Sequence, residues 1–167
     1  MNLVNTSVSV TEKLRCSHCG ESTTHPVYSE SNDPFCCQGC RMVFELLHEH
    51  DLDQYYTFDE LPGQTINAGL QRPQFDILED PKVQQSLIEF TQGTHATTTF
   101  YIPSIHCTSC VWLLEHLQKI DAGIYDGRVN FIKRSLRVRF DQSRTSLRSI
   151  AELLSSIGYE PQLRLND

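Results

Sequence analysis

From Thr97 onward, apolar residues recur with a period near two and then near four, twice over, and the order of those periods predicts a fold. Thr97–Ile102 reads as a strand, and Thr108–Ile120 as a helix with Leu113, Leu117 and Ile120 on one stripe. A second strand is expected around Val129 and Phe131. Ser135–Asp141 alternates strictly, with Leu136, Val138 and Phe140 inward and Arg137 and Arg139 outward. Leu147, Ile150, Leu154 and Ile157 line a second helix that Gly158 suits as a cap, and Tyr159–Leu165 supplies a last strand. Strand, helix, strand, strand, helix, strand predicts a ferredoxin-like βαββαβ domain: a four-stranded antiparallel sheet with both helices on one face.

The pattern before Thr97 is weaker. A helix follows Phe35-Cys-Cys-Gln-Gly-Cys, with Val43, Leu46 and Leu47 at helical spacing. Residues 51–79 contain Pro62-Gly63, Gly69 and Pro73 and read as a linker with short packed pieces, in which Tyr55 and Tyr56 are packing residues. Asp80-Pro81 starts a further helix near 80–92 on which Val83, Leu87 and Phe90 share a face, and Gly93 ends it. The expected organisation is α+β: a flexible arm (1–14), a small cysteine-rich unit (15–50), a linker (51–95) and the ferredoxin-like domain (96–167).

Composition is that of ordinary globular protein, with 39% hydrophobic and 21% charged residues. The net charge of −7 disfavours nucleic-acid binding. It is unevenly spread: residues 1–95 carry 5 basic and 14 acidic side chains (−9), and residues 96–167 carry 9 and 7 (+2). No apolar run approaches the about 20 residues of a membrane-spanning helix, and Met1–Lys13 does not resemble a signal peptide. The expected location is therefore cytoplasmic, where clustered cysteines bind metal or do redox work.

All seven cysteines fall in pairs or clusters at ligand spacing. Cys107-Thr-Ser-Cys110 sits where a strand turns into a helix. Unpaired amides there favour thiolate, and two soft sulfurs suffice for Cu(I), whereas zinc normally takes four ligands. His106 beside them is an auxiliary candidate, more suited to tuning the thiols than to ligation. Trp112, Leu113 and Leu114 read as packing residues. Upstream, Cys16-x-x-Cys19 followed by Cys37-x-x-Cys40 fits a four-thiolate site for Zn(II), with Cu(I) as the sharper alternative. Cys36 is surplus and can replace Cys37, because three intervening residues are also permitted. Gly20 suits a knuckle, and the pair opening a helix gives the unit a treble-clef or zinc-ribbon-like character. His18 and His25 lie nearby as minor ligand candidates. A unit this small is expected to need metal to fold.

The string Ile105-His-Cys-Thr-Ser-Cys-Val-Trp-Leu-Leu-Glu115, preceded by Phe35-Cys-Cys-Gln-Gly-Cys-Arg-Met-Val-Phe44, resembles the N-terminal cytoplasmic region of copper-exporting P-type ATPases linked to cytochrome oxidase assembly. The resemblance runs from about Cys16 to about Pro161, with the C-terminal part similar to heavy-metal-associated domains. The family's usual loop glycine is Ser104 here, and Ile105 stands where many relatives carry methionine. The resemblance implies Cu(I) at Cys107 and Cys110, and a copper chaperone or the remainder of a pump as partner. Membrane contact would come only through a separate transmembrane part. The residues contain no catalytic machinery: neither a Cys-Pro-Cys membrane motif nor an Asp-Lys-Thr-Gly phosphorylation motif is present. A freestanding copper chaperone or buffer would use the same residues, and a Cys-x-x-Cys thiol oxidoreductase is the third class. Arg137 and Arg139 are candidate contacts for the acidic run Glu45, Glu49, Asp51 and Asp53.

Overall fold

The structure, a computed structural model, describes residues 13–64, 66 and 75–164. Most of the expected arm, the Gly69–Pro73 part of the linker and Leu165 lie outside the described residues. Two two-residue hairpins come first: β1 (Leu14–Arg15) pairs with β2 (Ser22–Thr23), and β3 (Val27–Tyr28) with β4 (Pro34–Phe35). Helix α1 (Gln38–Glu49) follows, then the single turn α2 (Tyr55–Phe58). A 3-10 turn (Asp76–Glu79) leads into α3 (Pro81–Leu87), whose N-cap Asp80 accepts from Lys82 N–H at 2.8 Å.

The second half is one antiparallel sheet in the order β5-β6-β8-β7. Its strands are β5 (Ile88–Gln92), β6 (His95–Tyr101), β7 (Ile124–Asn130) and β8 (Ser135–Asp141), with α4 (Thr108–Leu114) and α5 (Leu147–Ser156) between and after them. On β8 the alternation holds: Leu136, Val138 and Phe140 are buried while Arg137 and Arg139 are exposed. Ser146 caps α5 by accepting from Ser149 N–H at 3.1 Å, and Gly158 follows it at φ +94°. The arrangement is ferredoxin-type, with one substitution in the sheet.

That substitution corrects two expectations. The helix near 80–92 stops at Leu87, and Ile88–Gln92 turns back through Gly93 (φ +63°) as a strand against His95–Thr98. Ile88, Phe90 and Thr91 favour extended backbone, and the free edge of β6 supplies the hydrogen bonds. Phe90 is exposed and does not face a core. Because β5 takes this edge, the last strand expected at Tyr159–Leu165 shrinks to one bridge, Gln162 N–H to the Tyr101 carbonyl at 2.8 Å. Pro161, which has no N–H, interrupts pairing there. The helix expected to reach Ile120 ends at Leu114, and Leu117–Lys119 forms a 3-10 turn.

The two halves do not form separate cores. Val43 and Leu47 of α1, with Leu52, Tyr55, Phe75 and Leu78, lie in one buried cluster with Ile102, Cys110, Leu113, Leu136, Leu154 and Tyr159. A smaller cluster gathers Cys16, Phe35 and Cys40 around the upstream cysteines. Leu52 and Tyr55, in the stretch read as a linker with short packed pieces, are among the pieces that join this core. The physical reason is α1 itself: its apolar stripe is buried against the second half, so this short unit need not supply a core of its own. Arg137 and Arg139 do not reach the acidic run either. They pair within their own sheet, with Glu89 at 3.7 Å and Asp126 at 3.0 Å.

Candidate metal centres

Cys16 and Cys19 lie on a tight knuckle after β1. Cys16 N–H donates to the Glu21 carbonyl, Gly20 N–H donates back to the Cys16 carbonyl, and Gly20 takes φ +78°. Cys36 follows β4 and Cys40 lies in the first turn of α1. The Sγ atoms of these four residues are all within 4.8 Å of one another. Measured edges are 3.6 Å (Cys19–Cys36), 3.6 Å (Cys36–Cys40) and 3.8 Å (Cys40–Cys19). A tetrahedral ion with sulfurs at about 2.3 Å requires edges of about 3.8 Å, so the donor set fits a four-thiolate ion. Hydrogen bonds from Cys19 and Cys40 hold the Cys16 thiol far below its usual pKa, whereas burial pushes Cys36 up.

Cys37 stands apart from this group. It is the N-cap of α1: its Sγ accepts from Cys40 N–H at 3.5 Å and donates to the Ile66 carbonyl at 2.9 Å. Of the two adjacent cysteines, the structure therefore brings Cys36 to the cluster. Among the described residues no histidine joins it. His25 is exposed. His18 is fully buried between the knuckle cysteines and packs on Tyr55 and Tyr56, its Nδ1 2.7 Å from the Tyr56 hydroxyl. Burial lowers its pKa to about 4. Gly63 lies so close that a Cβ there would sit 2.4 Å from the His18 ring. Gly63→Ala is therefore expected to displace the ring and cost about 1–3 kcal/mol, as overpacking does, measured by chemical denaturation.

The second site forms where β6 enters α4. Cys107 is the N-cap, accepting from Cys110 N–H at 3.4 Å, and the two Sγ atoms are 2.8 Å apart. Cys110 is buried and its Sγ accepts from the Tyr159 hydroxyl at 3.2 Å. Cys107 is partly open, and a cavity of about 440 Å³ beside it is lined by His106, Cys107, Thr108, Val111 and Phe131. Burial pushes the Cys107 thiol up to about 12. A nearly linear ion with sulfurs at about 2.3 Å each needs them about 4.6 Å apart. The pair as it stands is closer than that span.

His106 lies 3.6 Å from Cys110 Sγ through Nδ1. The same Nδ1 is 2.8 Å from the Ser104 carbonyl and 3.2 Å from the Gln64 side-chain nitrogen, and His106, Cys107 and Cys110 bring three potential donor atoms within 4.8 Å of one another. Ile105 is buried and anchors the loop in the core. Trp112 stacks on His116 and tilts against Phe58, as a packing residue does. Sequence reasoning did not single out Tyr159 or Asp59. Tyr159 shares only its adjacency to Gly158 with any local signal, and Asp59, which accepts from Ser109, lies 50 residues away.

Residues 15–92 match the profile of the family described as "Putative metal-binding domain of cation transport ATPase". This stretch, a little under half of the chain, is similar to that family. The matched residues contain the whole four-cysteine cluster and run as far as β5, the edge strand of the ferredoxin-type sheet. A mercuric transport protein periplasmic component from Shewanella putrefaciens is 29% identical over 69 residues, which is 41% of this chain and 75% of that protein. Among solved structures, oxidized MerP from Ralstonia metallidurans CH34 is 23% identical, covering 42% of this chain and 97% of its own, with a TM-score of 0.39. The N-terminal domain of a potential copper-translocating P-type ATPase from Bacillus subtilis, in a Cu(I)-loaded state, is 20% identical with a TM-score of 0.36. It covers 42% of this chain and 95% of its own. No helix among the described residues is long and apolar enough to cross a membrane.

Proposed function

We propose that the chain is the cytoplasmic metal-binding region of a copper-translocating P-type ATPase, taking Cu(I) at Cys107 and Cys110. The observation that carries this reading is the facing thiol pair, one sulfur anchored and one accessible, in the same chain as a cation-transport-ATPase metal-binding domain. Two thiolates, with His106 beside them as an auxiliary donor, suit Cu(I), and an accessible sulfur beside an open cavity admits an incoming thiol for ligand exchange. The four-thiol cluster is read as a structural site for a resident zinc ion held by Cys16, Cys19, Cys36 and Cys40. Its near-tetrahedral edges support zinc over a two-coordinate copper ion. A copper chaperone and the rest of the pump are the partners this role requires.

Competition with a chromophoric Cu(I) chelator tests the reading. The Cys107→Ser, Cys110→Ser double variant is expected to lose at least about a hundredfold in affinity at this site, since both soft ligands go. An unchanged copper affinity would show that the ion is held elsewhere.

A further inference from the structure

The wall behind Cys107 and Cys110 comes from the metal-binding domain of the first half. Helix α2 packs against α4, and the Tyr55 hydroxyl lies 2.6 Å from that of Tyr159. The single proton of Tyr159 is directed at Cys110 Sγ, so Tyr55 donates to the Tyr159 oxygen. One residue beyond α2, Asp59 Oδ2 accepts from Ser109 N–H at 3.2 Å and from Ser109 Oγ at 3.0 Å. Ser109 is fully buried and adjoins Cys110. Both tyrosines are also fully buried.

We propose that Tyr55 and Asp59 are positioning residues for the Cys107/Cys110 site, with opposite effects on how tightly it holds a soft monovalent cation. The proposal rests on the reading of that thiol pair as a Cu(I) site. Two thiolates and one monovalent cation leave a net charge of −1. A hydroxyl donating to Cys110 Sγ favours that charge, and donation from Tyr55 polarises the Tyr159 hydroxyl further in a dry setting. Tyr55 therefore strengthens retention. Asp59 brings a second negative charge to the residue next to Cys110, and so weakens retention while its two hydrogen bonds hold the loop in shape. One short element of the first half thus both orders the site and keeps it ready to release its ion.

The test uses the full zinc-loaded chain in competition with a Cu(I) chelator, with occupancy read from the amide shifts of Thr108, Ser109 and Cys110. Asp59→Asn keeps an acceptor oxygen and deletes the charge. It is expected to tighten Cu(I) binding about fivefold at low salt, with the gain fading as ionic strength rises, because an exposed carboxylate is screened. Tyr55→Phe is expected to weaken binding about fivefold. Asp59→Ala, which removes the acceptor as well, is expected to lower the melting temperature where Asn does not, since it leaves the buried Ser109 unpaired. A purely structural role would move Asn and Ala in the same direction without salt dependence, and that result overturns the proposal. So does an Asn variant no tighter than wild type, or a Phe variant that binds equally well. If the chain with both loop cysteines replaced by serine bound copper at these amides as tightly as wild type, the reading of the site itself would fall.

Discussion

Replacing Cys36 with serine is expected to abolish the zinc binding proposed for the first cluster and unfold the segment around it, while Cys37→Ser leaves both intact. The two positions are adjacent, and either spacing to Cys40 is compatible with a four-thiolate site. Only Cys36 places its sulfur 3.6 Å from both Cys19 and Cys40. Cys37 instead caps α1, and serine is a good residue for that task. Structural zinc in small units contributes about 10–16 kcal/mol of apparent binding free energy with all ligands present, so losing one thiolate costs several kcal/mol of folding. Zinc content after gel filtration, together with thermal unfolding, measures the contrast. Cys36→Ser should lose its ion to a mild chelator, and Cys37→Ser should remain within about 1 kcal/mol of wild type. The reverse pattern would make Cys37 the ligand.

Leu47→Ala is expected to destabilise both halves of the molecule together, by about 2–5 kcal/mol. Leu47 belongs to α1 of the cysteine-rich unit, is fully buried, and lies in the same core as Leu113, Leu136 and Leu154 of the ferredoxin-type unit. A cavity there removes packing on both sides of the junction. Zinc release reports on the first half, and the fluorescence of the single tryptophan, Trp112, reports on α4. In urea the two signals are expected to trace one transition in wild type, and one earlier transition in the variant. Two separate transitions, with only the zinc signal shifted, would mean that the halves fold independently.

That shared core was the part least visible in the sequence. The Val43, Leu46 and Leu47 stripe announced an amphipathic helix but not the surface it would cover, because periodicity reports which face is buried and not against what. The −9 and +2 charge balance suggested that the halves meet through charge, with Arg137 and Arg139 as contacts. The structure pairs those arginines with Glu89 and Asp126 on their own sheet. Contact between the halves runs through apolar side chains, the tyrosine pair and Asp59. Net charge describes a long-range field and carries no information about which side chains share a surface.

Where local chemistry decides the outcome, the sequence was sufficient by itself. Strict alternation set β8, a four-residue rhythm ending at Gly158 set α5, and Cys-x-x-Cys at a strand-to-helix turn set the thiol pair. Each depends on residues within a few positions of one another. Competition among distant partners needed the tertiary structure. Ile88–Gln92 became a strand because the edge of β6 stood open to it, and the C-terminal segment lost that edge in consequence. Cys107-x-x-Cys110 and Cys37-x-x-Cys40 share a spacing and both open with an N-cap. Only the first is a facing pair; in the second, Cys40 joins Cys16, Cys19 and Cys36, while Cys37 donates to the Ile66 carbonyl. Spacing limits which cysteines can meet; the packing of the surrounding elements decides which of them do.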